Sequence, residues 1–273
     1  MKNKQRKIIK LNYGKIKFMK IPKVKFTQIS IETEVSMFYY FLFENDWNWS
    51  KSLFHVHPNL KEVKELKSKK DRIVFITKYI KGFRKVRGEV IDKNKEIYKK
   101  NWGKIEKDFL LTLSEVIGEE WPQNRKEIIA MMSINTICPR FLNNWSFSVF
   151  YNYDKKLIAT KVMVHEITHF LYFEKWKKMY PKMNPEKFNK PHLEWHLSEI
   201  LAPVILNDKR LKKIIGEKSY GYKEHEKIKI GNKTTPKFFE DLYIKYQKEN
   251  KSFEEFLKES YRVIKENKKL FNF

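Results

Sequence analysis

Cysteine is almost missing from these 273 residues. Cys138 is the single one, so no disulfide can close within the chain and no cysteine cluster can hold a metal. Both points predict a reducing, cytoplasmic setting. Long apolar runs are missing as well. The longest, Met37 to Phe43, is short and aromatic-rich, far below the roughly 20 residues that a membrane-spanning helix needs. No membrane partner is expected. The basic opening, Met1 to Lys10, leads into no continuous apolar segment and no small-residue cleavage site, which predicts no secretory leader. Internal repeats and low-complexity linkers are also lacking.

Arginine is scarce beside lysine. Of 58 basic residues only 8 are Arg, and with 33 acidic residues the net charge is +25. Nucleic-acid readers lean on Arg for bidentate contacts with phosphates and guanine. Here Lys runs along the whole chain, mixed with Glu. The charge is read as a lysine-biased, solvated surface, and a nucleic-acid partner is not favoured. Acidic partners should still be drawn by long-range steering that salt weakens.

What is present predicts a helix-rich α+β fold. Residues 14 to 31 alternate Lys with apolar residues, which suggests strands with one solvated face. Residues 32 to 44 read as a buried helix or strand. Residues 60 to 118 read as mostly helical, in two segments: Lys61 to Gly82, and Asp92 to Ile117 with a break near Gly103. A loop around Trp121, Pro122 and Asn124 is the best boundary, between a strand and helix region over 1–120 and a catalytic region over 121–273. The first of these can equally be part of one domain with the second. Strands are expected over Glu127 to Cys138, stopped by Pro139, and over Trp145 to Tyr153. The latter alternates, with Phe147, Val149, Tyr151 and Tyr153 on one face. Helices are expected from about Lys155 to Lys178, from Pro191 to about Asn207, and over Pro236 to Asn267.

The segment Val162 to Leu171 reads V-M-V-H-E-I-T-H-F-L. His165 and His169 are four apart, so on a helix both imidazoles project from one face toward one point. Two neutral imidazoles suit Zn²⁺. Glu166 flanks that point without having to bind it, and can take a proton from a water there and pass it to a leaving amine. Apart from these three residues, the segment is uncharged in a chain that is one-third charged. A helix carrying ligands through a core must look like this.

On these residues the chain resembles the HExxH zinc metallopeptidases, the zincins, over roughly residues 104 to 207. The resemblance implies a small mixed sheet, the HExxH helix, a third ligand on a second helix, a Zn²⁺ cofactor and a peptide or protein substrate. It also implies an edge strand that binds the substrate backbone. Trp145 to Tyr153 stands in the right place for it, or for an ordinary core strand. The metzincin pattern needs Gly and His soon after the second His; Tyr172 and Lys175 stand there instead. The gluzincin pattern takes a Glu from a later helix, and the helix after Pro191 offers Glu199, Glu194 and His196. Leu193, Leu197, Ile200, Leu201 and Val204 form one apolar face, while Glu199 lies opposite, among Trp195, Ala202 and Leu206. A carboxylate so enclosed needs a charge partner, and zinc fits. Glu199 is preferred, with Glu194 and His196 kept open.

Pro203 stands where well-known gluzincins keep an Asp that steadies one zinc His, a departure from that pattern. It also removes the usual helical donor to the Glu199 carbonyl. His196, Tyr222 and His225 are candidates for an oxyanion donor or for support of the ligands, with His192 and Tyr220 beside them. His55 and His57 read as a loop feature. The expected activity is peptide-bond hydrolysis. The competing expectation is a binding or regulatory protein on the same scaffold, using its basic surface for a nucleic acid or an acidic partner; an intact Glu166 favours the enzyme.

Overall fold

The computed structural model describes residues 20–44, 49–155 and 157–271. The described chain begins with strand β1 (Lys23–Gln28) and helix α1 (Ile31–Tyr39), which runs into a π turn over Tyr40–Glu44. The aromatic run that sequence left between helix and strand is thus helical. Ser30 starts α1 by accepting a hydrogen bond from the Thr33 N–H at 3.1 Å. Helices α2 (Ser50–Val56) and α3 (Lys69–Gly103) follow, with a 3₁₀ segment over Pro58–Glu65 between them. The two helical segments expected across 61–117 are divided differently. Helix α3 is continuous through Gly82 and ends at Gly103. Helix α4 (Glu106–Ile117) then stops at Gly118, whose φ of 63° is the left-handed conformation that ends helices.

Next come strands β2 (Glu127–Ser133), β3 (Arg140–Phe141) and β4 (Ser146–Phe150), then helix α5 (Leu157–Met179). Helices α6 (Leu193–Leu206), α7 (Lys209–Ile215) and α8 (Lys223–Lys227) precede a two-stranded hairpin of β5 (Lys229–Ile230) and β6 (Lys233–Thr234). Helices α9 (Thr235–Lys248) and α10 (Phe253–Glu266) close the fold, the last with a capping box between Ser252 and Glu255. The expectation of strands over 14–31 is met, among the described residues, by β1; residues 14–19 lie outside them. The fold is helix-rich α+β with a small mixed sheet.

These elements form two compact units that interleave along the chain. The first holds Lys23–Lys104 and Glu127–Glu166, and with them the four-stranded sheet, ordered β1-β2-β4-β3. Strands β1, β2 and β4 run parallel, and β3 is antiparallel to β4. Alternation in the segment 145–153 predicted one inward face. In β4 all five residues are buried, Ser146 and Ser148 included, because β2 and β3 flank it in the plane and both faces are covered.

A buried carboxylate fastens this unit. Glu34 of α1 accepts from the Ser133 hydroxyl at 2.5 Å and from the Ile134 N–H at 2.7 Å, and pairs with Arg84 of α3 at 2.5 Å. His57 contacts the Ile134 carbonyl through Nε2 at 2.8 Å and the Tyr79 hydroxyl through Nδ1 at 2.9 Å. It is fully buried, so the expected loop feature is a core residue that fixes the chain just beyond β2.

The second unit has its described residues in 20–22, 105–126 and 167–271. Helix α6 is its centre, buried from Glu194 to Leu206, with α9 and α10 packed on it. Asp208 ties the end of α6 to α9. It caps α7, pairs with Arg210, and accepts from Tyr243 at 2.8 Å and Gln247 at 2.7 Å. Helix α5 runs through the division, giving residues up to Glu166 to the first unit and Ile167 onward to the second.

Candidate metal centre

Helix α5 sets the spacing. His165 and His169 are one turn apart on it, with Glu166 between them. His169 is fully buried, and its ring stacks on Phe173 at 6.1 Å between centroids. Helix α6 brings Glu199, which is 1% exposed, so that its Oε2 lies 3.5 Å from His169 Nε2. Each of His165, His169 and Glu199 offers one ligand atom, and these atoms all lie within 4.8 Å of one another. They are the only three or more His, Cys, Asp or Glu among the described residues that could hold a metal ion.

The donors fit a metal by their chemistry. Two imidazoles and a carboxylate form a nitrogen and oxygen set suited to Zn²⁺. Burying a carboxylate beside imidazoles is costly unless positive charge compensates it, and an ion within reach of all three would do so.

The other acid candidate on the same helix is occupied elsewhere. Glu194 Oε1 accepts a hydrogen bond from Tyr261 of α10 at 2.7 Å, and Lys187 stands 3.8 Å away. His196 is spent differently again. Its Nδ1 lies 3.1 Å from Nε2 of His225, and both rings are buried. Burial, with His225 alongside, pushes the His196 pKa down to about 3; burial pushes that of His225 down to about 4. Both imidazoles are therefore neutral at pH 7. Tyr222 packs its ring against Trp195 and His225 at 6.0 and 5.9 Å. The three candidates for supporting roles thus form one cluster on and beside α6, while His192 and Tyr220 are exposed.

Pro203 and Gly221 meet beside the backbone of Glu199. A Cβ on Gly221 would touch the Pro203 ring at 3.4 Å and the Glu199 carbonyl oxygen at 3.6 Å. The loop after α7 thus reaches the backbone that Pro203 deprives of its helical donor. Asn207 pins that loop with two hydrogen bonds to the Ser219 backbone, both 2.9 Å.

Arg140 was not singled out by sequence. Its Nη1 lies 3.9 Å from Glu166 Oε2, and the two side chains are 10% and 11% exposed. The available signal was an Arg, just after Pro139, in a chain whose cations are mostly Lys. Cys138 is near but inert: its thiol lies 3.3 Å from the Tyr153 hydroxyl, and burial pushes its pKa up to about 11.

No protein-family model matches this chain, and searches of curated proteins and of solved structures return no match. Among the described residues, no helix is long and apolar enough to cross a membrane.

Proposed function

We propose that this chain is a zinc-dependent metallopeptidase with a gluzincin-like site. The observation that carries the reading is the convergence of His165, His169 and Glu199, with ligand atoms within 4.8 Å of one another, beside Glu166 on the same helix. The three would hold Zn²⁺ by two nitrogens and one oxygen. Zinc in such a site lowers the pKa of a water toward 7 and polarises a carbonyl.

The remaining chemistry belongs to the chain. Glu166 accepts the proton from the attacking water and returns it to the leaving nitrogen, so that the amine departs neutral. Neutral His196 and His225 keep the second helix packed around Glu199 without adding positive charge next to it. Among the described residues β3 is last in the sheet order, so a substrate backbone would pair with it rather than with β4, which has neighbours on both sides. The single, inert Cys138 suits a reducing compartment, and we place the enzyme in the cytoplasm.

The test combines metal analysis with peptide cleavage. Purified protein should carry about one zinc per chain, and Glu166→Gln should keep that zinc while losing cleavage of a mixed peptide library. A variant that cleaved at the wild-type rate would refute the mechanism.

A further inference from the structure

We propose that His225 is a positioning residue: its Nε2–H donates to Nδ1 of His196 and so holds the His196 proton on Nε2. The proton placement stands on the geometry of the pair; its part in hydrolysis rests on the peptidase reading.

Both residues belong to the second unit, His196 on α6 and His225 on α8, with Nδ1 of the first 3.1 Å from Nε2 of the second. Each backbone is fixed locally. The His196 N–H donates to the His192 carbonyl at 3.2 Å, and that of His225 to the Tyr222 carbonyl at 3.1 Å. Aromatic rings hold the imidazoles in place. Trp195 and Phe271 stand against His196, with centroids at 4.9 and 6.0 Å, and Tyr222 stands edge-on to His225.

A bond between two neutral imidazoles needs one donor and one acceptor, and each neutral ring has a single N–H. Burial keeps both rings neutral at pH 7. Two arrangements satisfy the bond. In the first, His196 donates from Nδ1 and the His225 proton sits on its own Nδ1. In the second, His225 donates from Nε2 and its Nδ1 carries only a lone pair.

The far nitrogen of His225 decides between them. Its Nδ1 is buried and meets no hydrogen-bond partner among the described residues. The first arrangement would leave an N–H there with no acceptor, and buried N–H groups without acceptors are rarer in proteins than under-used acceptors. It would also put both rings in the Nδ1–H form, which a neutral histidine disfavours. The second puts both in the favoured Nε2–H form.

The hydrogen bond at one imidazole nitrogen sets what the other carries. His196 is thus a donor at Nε2 and cannot take a proton there, which leaves the work of the base to Glu166. His196 and Glu199 are three apart on α6, so their side chains share a face. A donor fixed on that face favours negative charge beside Glu199.

Long-range ¹H–¹⁵N NMR on the full-length, zinc-loaded protein at pH 7 reads which ring nitrogen holds the proton, with His196→Gln assigning the signals. The wild type should show His196 with a protonated Nε2 and a bare Nδ1. His225→Gln places an amide N–H where the imidazole Nε2–H stood, so it should keep that signature and most of the kcat/KM. His225→Leu removes the donor. There His196 should show the averaged shifts of two tautomers, with kcat/KM lowered about tenfold.

A wild-type His196 protonated on Nδ1 would overturn the proposal whether or not the variants fold. So would an unchanged signature in His225→Leu, or a His225→Gln no better than His225→Leu. The expected signature in a protein that cleaves no peptide would keep the proton placement and sink the peptidase reading. Cleavage with the His196 proton on Nδ1 would do the reverse.

Discussion

Glu199 Oε2 stands 3.5 Å from His169 Nε2, although the two residues come from different helices and lie 30 positions apart. Two ligands of one tetrahedral zinc, each bonded at about 2.0–2.1 Å, are separated by about 3.4 Å. The pair therefore has the spacing of neighbouring ligands on one ion. Glu194, on the same helix, is turned to Tyr261.

This contrast makes the third ligand testable by metal content. Glu199→Ala should lower bound zinc well below one per chain, as should His165→Ala and His169→Ala. Glu194→Gln should keep full occupancy, because the amide oxygen can still accept from Tyr261. Inductively coupled plasma mass spectrometry on dialysed protein measures this. Full zinc in Glu199→Ala with loss in Glu194→Gln would reverse the assignment.

Removal of the base should separate chemistry from binding. Glu166→Gln is expected to lower kcat by about 10²–10⁴-fold, the range typical for general acid–base groups, with peptide affinity little changed. Single-turnover cleavage beside equilibrium peptide binding gives the two quantities; an equal loss in both would argue for a structural role instead.

The Glu34–Arg84 pair should dominate the stability of the sheet-bearing unit. Glu34 is completely buried, and desolvation raises its pKa even though Arg84 opposes the shift. Removing one partner strands the other charge. Arg84→Met should cost about 3–5 kcal/mol in urea unfolding. A double replacement by apolar residues should recover part of that loss, which it would not do if the pair contributed mainly through its attraction.

Acid should destabilise the fold through its buried imidazoles. Burial lowers the pKa of His57, His196 and His225 below the ordinary 6.5. As pH falls through 6.5, the unfolded chain binds protons that the folded chain refuses, so stability drops. The loss continues down to the folded pKa, about 4 for His225 and about 3 for His196. Each group contributes a slope of about 1.4 kcal/mol per pH unit once its unfolded form is protonated. Urea titrations at pH 7.5 and pH 5 should show this loss, and His57→Gln should show less of it. A stability that rises on acidification would contradict the burial argument.

Part of the protein was legible in the primary structure because the physics is local. The 3.6-residue period puts His165 and His169 on one face of a helix, and the absence of other charge from Val162 to Leu171 marks that helix as buried. The helices at 191–207 and 236–267 followed from apolar spacing and from Pro191 and Pro236 near their starts. Other features depended on distant partners. Local pattern could not show that β4 has strands on both sides, since β2 and β3 supply them. Nor could it show that His57 bridges Tyr79 and Ile134, 22 and 77 positions away.

The sequence by itself determined a buried helix with two histidines one turn apart and a second buried helix with two acids on it. Only the tertiary structure showed which of those acids faces His169. Glu194 and Glu199 are both buried, and their difference lies in what faces them: Tyr261, 67 residues further along the chain, against His169 on α5. A helix fixes the direction of a side chain from its own residues, but the partner waiting there is set by the packing of other elements.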